Sequence, residues 1–95
     1  MARPARAGGS PGGTVQDLVE MGEFYYLNQK YAEAAQVLQK ALSIDPRCVK
    51  AYYTLGVIHE SKNEPDRARE MYEKALSIQP DFKPARDHLD RLVGI

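Results

Sequence analysis

A seven-residue phrase in the middle of the chain returns 34 residues later. Residues 40–46 read KALSIDP and residues 74–80 read KALSIQP. The same shift of 34 aligns Gly22 with Gly56 and Ala34 with Ala68. A fixed period of this size is typical of stacked supersecondary units, because each unit buries its apolar face against the next. The chain is therefore predicted to be a repeat protein rather than a globule without internal symmetry.

Each period predicts two helices and then a stop. In the first period, the apolar residues at helical spacing are Leu18, Met21 and Tyr25 in the first helix and Tyr31, Ala34, Leu38 and Ala41 in the second. In the second period they are Tyr52, Leu55 and Ile58 in the first helix and Ala68, Tyr72 and Ala75 in the second. Thr14 precedes the first run as a helix cap, with Asp17 three residues on. Pro46 and Pro80 end the second helix of each unit, because proline pushes the preceding residue out of helical space.

A fifth helical run follows the second unit, from Phe82 to Val93, and its other face is charged. Such a polar terminal helix is what a repeat array needs at its end. We therefore predict an all-α fold, an α-solenoid of antiparallel helix hairpins with five helices. Its predicted divisions are a disordered leader at 1–13, repeats at 14–48 and 49–82, and a capping helix at 83–95.

Two local features carry further expectations. Gly22 and Gly56 interrupt helical runs, at a cost of about 1 kcal/mol each relative to alanine. We expect a neighbouring helix backbone to approach each of them closely, since only glycine leaves room for it. In the first turn, Asn28 is expected to adopt the left-handed conformation that ends a helix.

The balanced charge and the single cysteine argue against several functional classes. Lys and Arg number 13, as do Asp and Glu, so the formal net charge is zero and we expect neither nucleic acid nor an anionic membrane as a partner. A single cysteine, Cys48, points to a cytoplasmic protein without an internal disulfide. His59 and His88 have no further ligands at metal-binding spacing. We expect no metal, no cofactor and no catalysis.

The repeated pattern resembles the tetratricopeptide repeat family, whose signature is Trp-x2-Leu-Gly-x2-Tyr, Ala-x3-Phe and Pro. The first unit reads Leu18-x2-Met21-Gly22-x2-Tyr25, Ala34-x3-Leu38 and Pro46, and the second reads Tyr52-x2-Leu55-Gly56-x2-His59, Ala68-x3-Tyr72 and Pro80. Two other repeat families, both involved in RNA processing, are less favoured. Half-a-tetratricopeptide repeats lack the terminal proline, and pentatricopeptide repeats need a basic groove.

The resemblance implies a module that binds a partner peptide or helix in the concave groove lined by the first helices. The predicted groove residues are Glu20, Glu23, Leu27, Lys50, Tyr53, Thr54, Val57, His88 and Arg91. Tyr53 beside Val57 is more apolar than a solvated face needs. The alternative is a structural spacer or self-association element, in which Val15 to Leu27, with no preceding helix to cover it, forms a homo-oligomer contact.

The resemblance also indicates a ligand that this groove should not bind. Co-chaperones of the family hold the acidic C-terminal tail of heat-shock proteins with Lys, Asn and Arg side chains. The matching positions here are Val19, Glu23, Thr54, Pro84 and His88, of which only Thr54 keeps a suitable donor. We therefore expect no binding of an acidic chaperone tail, and a partner that brings apolar side chains to Tyr53 and Val57 and a cation toward Glu20 and Glu23.

Overall fold

The computed structural model describes residues 14–94 and contains five α-helices in that range. They are α1 (Val15–Leu27), α2 (Tyr31–Ile44), α3 (Val49–Ser61), α4 (Pro65–Ile78) and α5 (Lys83–Leu92). The predicted all-α fold of five helices is confirmed across these residues. The leader predicted at 1–13 lies outside the described residues.

The chain divides into two compact units, with the division between Pro46 and Arg47. In unit 1, α1 packs against α2. In unit 2, α3 packs against α4, and α4 also packs against α5. Both proposed helix stops hold, since α2 ends at Ile44, two residues before Pro46, and α4 ends at Ile78, two residues before Pro80.

The two units bury most of the residues that the helical periodicity selects, whereas Met21, Tyr25, Tyr31 and Tyr52 are only half-buried. Among the described residues, Leu18 of α1 and Ala34, Leu38 and Ala41 of α2 are fully or almost fully buried. The core of unit 2 includes Ala68, Tyr72 and Ala75 of α4 with Ala85 of α5, and it is flanked by Phe82, Leu89 and Leu92. Thr14 caps α1 as predicted, because its Oγ1 accepts a hydrogen bond from the Asp17 amide at 3.0 Å.

The two helical glycines do allow close approach, but to a side chain rather than to a backbone. A Cβ on Gly22 would lie 2.6 Å from Leu38 Cδ2, and a Cβ on Gly56 would overlap the ring of Tyr72. Leu38 and Tyr72 occupy the same position of the 34-residue period. Each glycine therefore makes room for the largest buried side chain of the facing helix in its own hairpin.

The turn between α1 and α2 places the left-handed residue one position later than expected. Gln29 has φ 61° and Asn63, its counterpart in the repeat, has φ 59°. Asn28 instead keeps a negative φ, and its side-chain amide donates to the Phe24 carbonyl at 2.8 Å. The prediction for Asn28 is therefore wrong: this side chain caps a carbonyl at the end of α1 while the next residue turns the chain.

Candidate functional site

A cluster of polar and aromatic side chains joins the three helices of unit 2. Its members are Tyr53 and Glu60 of α3, Tyr72 of α4, and His88 and Arg91 of α5, which we call the His88 cluster. His88 Nε2 lies 3.2 Å from Tyr53 Oη, and His88 Nδ1 lies 2.9 Å from Glu60 Oε1. Tyr72 donates its hydroxyl to the same Glu60 oxygen at 2.6 Å. The cluster therefore links α5 to both helices of the preceding hairpin.

Electrostatics within the His88 cluster favour an ionised Glu60. Burial by itself would raise the pKa of this carboxyl, but hydrogen bonds from Tyr72 and His88 and the positive charge of Arg91 outweigh it, so the pKa is lowered. The opposite holds for Tyr72, whose pKa is raised by burial and by its hydrogen bond to the Glu60 carboxylate. Tyr72 therefore remains a hydrogen-bond donor at any physiological pH.

The ring of Tyr53 contacts three neighbouring aromatic rings. Its ring meets Phe82 edge-on at 5.6 Å between centroids and His88 edge-on at 5.4 Å. The ring of Tyr72 lies 6.0 Å away. Tyr53 and Val57 both pack partly against the core of unit 2. Tyr53 is thus half-buried rather than fully exposed, because Phe82 and α5 cover one side of it.

Two first-helix residues are buried at positions where co-chaperones of the family hold an acidic tail. Thr54 is 5% exposed, and its hydroxyl donates to the Lys50 carbonyl at 2.9 Å. The expectation that Thr54 offers a free donor is therefore wrong, because a carbonyl one helical turn earlier already accepts its hydroxyl proton. Val19 is also buried, whereas Lys50 and Arg91 are exposed.

The predicted groove residues of α1 differ in exposure. Glu20 is exposed and accepts a hydrogen bond from the Gln16 amide at 2.8 Å, while Glu23 is half-buried. Leu27 is 76% exposed. Phe24, which the sequence reasoning did not assign to any site, is 63% exposed. An exposed aromatic side chain therefore lies one helical turn after the exposed Glu20.

The remaining histidine has a local partner. His59 is half-buried, and its Nδ1 lies 2.7 Å from Glu64 Oε1. Among residues 14–94 there is no group of three or more His, Cys, Asp or Glu side chains that could hold a metal ion. No helix in the same range is long and apolar enough to cross a membrane.

Comparison with known proteins identifies the family. The tetratricopeptide repeat pattern matches residues 25–91 of this chain. The protein belongs to the tetratricopeptide repeat family. The tetratricopeptide repeat fold supports a protein–protein interaction module.

The similar proteins are mostly much longer than this chain. Tetratricopeptide repeat protein 17 of Danio rerio is 29% identical over 72 residues, which are 76% of this chain and 6% of that protein. Among solved structures, the Arabidopsis OM64 tetratricopeptide domain has a TM-score of 0.83 at 26% identity, over 87% of this chain and 69% of that one. The first tetratricopeptide domain of Spaghetti (RPAP3), bound to the HSP90 peptide SRMEEVD, has a TM-score of 0.80 at 20% identity, over 90% of this chain and 67% of that one.

Proposed function

We propose that the chain is an adaptor or scaffold module that binds a partner protein, as a linear peptide or a helix, on the first helix of its repeats. In unit 2 the proposed binding surface consists of Lys50, Tyr53 and Val57 of α3 with His88 and Arg91 of α5. The observation that carries the proposal is the fixed position of Tyr53. Its ring packs edge-on against Phe82 and His88, so a partner meets a half-exposed aromatic side chain that its neighbours already hold in place.

Rigidity matters here because binding costs free energy for each side chain that must be ordered, about 0.5–1.5 kcal/mol for a flexible one. A tyrosine that neighbouring rings already hold in place loses little further conformational entropy when a partner binds. Aromatic residues of this kind are common as energetic centres of interfaces. Lys50 and Arg91 are exposed and add positive charge to this surface. In unit 1, Glu23 occupies the repeat position of Val57, so a partner's cation is expected there.

The test is affinity capture from cell extract with partner identification by mass spectrometry, comparing two double variants. Tyr53→Ala with Val57→Ala removes the proposed contacts. Met71→Ala with Leu76→Ala is the matched control, since both residues are half-buried in the same unit but lie on α4, the second helix of the hairpin. Circular dichroism verifies that both variants fold.

The proposed surface predicts that specific partners are lost with the α3 variant and retained with the α4 variant. Equal loss from both variants would mean that unit 2 was merely destabilised, and the proposal would fail. Retention by both variants would also contradict it. If the α3 variant instead changed only the oligomeric state measured by light scattering, the spacer or self-association reading would replace the adaptor reading.

A further inference from the structure

The helix α1 exposes an aromatic side chain among carboxylates. Phe24 is 63% exposed, Glu20 is exposed and Asp17 is half-buried. The sequence of α1, Val15–Leu27, contains no lysine or arginine. Exposed apolar residues are common on protein surfaces, but Phe24 occupies a repeat position that is buried or half-buried in the other copies of the period.

The 34-residue period, applied twice, aligns α1 with α5. Asp17 then corresponds to Ala85, Glu20 to His88 and Phe24 to Leu92. In unit 2 these three residues of α5 form the side that faces the hairpin before it. Ala85 is fully buried in the core cluster with the α4 residues, and Leu92 packs against that cluster.

The polar member of the set also faces α4. His88 Nδ1 lies 3.1 Å from Tyr72 Oη, and the two rings are 5.3 Å apart. In α3 the residues at the same repeat positions are Ala51, Thr54 and Ile58, which are 0%, 5% and 1% exposed. These three positions are thus buried or partly buried in α3 and in α5. In α1, the position of Ile58 and Leu92 is occupied by the exposed Phe24.

We propose that Asp17, Glu20 and Phe24 form a docking face for an amphipathic helix of another protein, one that carries lysine or arginine beside its apolar stripe. We infer that the bound segment is a helix, because the equivalent side of α5 is covered by the helix α4. We infer that it is basic from the charges of this face. Acidic side chains stand where α5 has alanine and histidine, and carboxylates brought into a contact need a cation to offset their desolvation.

A second copy of this chain, meeting face to face through α1, fits less well. Such a contact would bring two identical acidic faces together, and like charges across an interface oppose association. The proposed face uses other residues than the Tyr53 surface of unit 2, so the two proposals can fail independently.

The probe for the test is a synthetic peptide with the α4 sequence, residues 65–78, because α4 covers the equivalent face in unit 2. A lactam bridge between Glu70 and Lys74, which are exposed and four residues apart, keeps the short peptide helical. The basic probe retains Arg67 and Arg69, and an acidic probe has glutamate at both positions. Binding of each labelled peptide to the full chain is measured by fluorescence anisotropy at low and at physiological salt.

We expect the basic probe to bind more tightly than the acidic probe, and Phe24→Ala to weaken its binding by about tenfold, the usual effect of removing a central aromatic contact. Glu20→Lys should reverse the order of the two probes. Glu33→Lys, an equal charge change at an exposed position of α2, should leave that order unchanged.

The proposal is overturned if Phe24→Ala and Glu20→Lys leave the binding of the basic probe unchanged, since the peptide would then bind elsewhere. It is also overturned if sedimentation shows a dimer of the parent chain that Phe24→Ala converts to monomer. That result would make a second copy the occupant of the face.

Discussion

The contact between Gly56 and Tyr72 allows a prediction with a sign that is not obvious. Alanine is the better helix former by about 1 kcal/mol, so Gly56→Ala would stabilise an unobstructed helix. Here the new Cβ would overlap Tyr72 Cε1 and lie 2.7 Å from Cδ1 and 2.9 Å from Cζ. Tyr72 is fully buried, and its hydroxyl is fixed by Glu60 at 2.6 Å, so the ring has little freedom to move away.

Overpacking of a well-filled core costs about 1–3 kcal/mol, and a displaced ring would also strain a hydrogen bond worth about 1.5–3 kcal/mol, since its acceptor is charged. These costs exceed the gain in helix propensity. We therefore expect Gly56→Ala to lower the free energy of unfolding by about 1–3 kcal/mol, equivalent to at least about 4 °C in melting temperature for a domain of this size.

Urea unfolding of a double-mutant cycle isolates the cause. The second substitution is Tyr72→Leu, which gives unit 2 the residue that unit 1 has at the same repeat position, Leu38. In the Tyr72→Leu background, Gly56→Ala should cost clearly less than in the parent, because the leucine can move where the anchored ring cannot. A parent chain stabilised by Gly56→Ala, or equal costs in both backgrounds, would refute the assigned clash.

Three further predictions concern a turn, a carboxylate and a ligand. Gln29→Asn should raise the melting temperature slightly, because Gln29 has φ 61° and asparagine tolerates this conformation better, as Asn63 shows at φ 59°. The pKa of Glu60 is lowered from 4.5, so the ionised carboxylate stabilises the fold above pH 4.5, and this stabilisation is lost as the pH falls through the folded-state pKa. In acid unfolding, Glu60→Gln should therefore lose less unfolding free energy than the parent as the pH falls below 4.5. The peptide SRMEEVD, bound by Spaghetti (RPAP3), should show no binding to this chain in calorimetry at physiological salt, since Glu23 repels it and the Thr54 hydroxyl is already used; salt-sensitive micromolar binding lost on Lys50→Ala would contradict this.

The architecture could be predicted from sequence because its determinants are local and occur twice. Gly22 with Gly56 and Pro46 with Pro80 fix helix contacts and helix ends in both periods. Even the turn misassigned to Asn28 is off by a single residue. Features that recur with the period predict the structure well, because each hairpin packs its two helices in the same way.

The His88 cluster could not be predicted in the same way. Glu60 and Tyr72 are 12 residues apart and His88 lies another 16 residues on, so no short motif connects them. Tyr72 was recognisable as a packing residue, but its hydroxyl has no counterpart in unit 1, where Leu38 stands at that position. A buried tyrosine hydroxyl needs a hydrogen-bond partner, which was the one available hint that a polar residue such as Glu60 lies close to it.

The function of the His88 cluster as the attachment of α5 leads to a final prediction. The helix α5 has only 10 residues, and a helix this short is marginal on its own, so its amide protection from hydrogen exchange depends on docking. His88→Ala removes the polar contacts to Tyr53, Glu60 and Tyr72, at a cost of about 1–3 kcal/mol. If α5 undocks by itself, its amides should exchange about 5- to 150-fold faster while those of α4 keep their protection. An exposed substitution on the same helix, Arg86→Ala, should leave both helices unchanged. Equal acceleration in α4 and α5 would show instead that unit 2 opens only as a whole, and that His88 stabilises the entire unit rather than the attachment of its last helix.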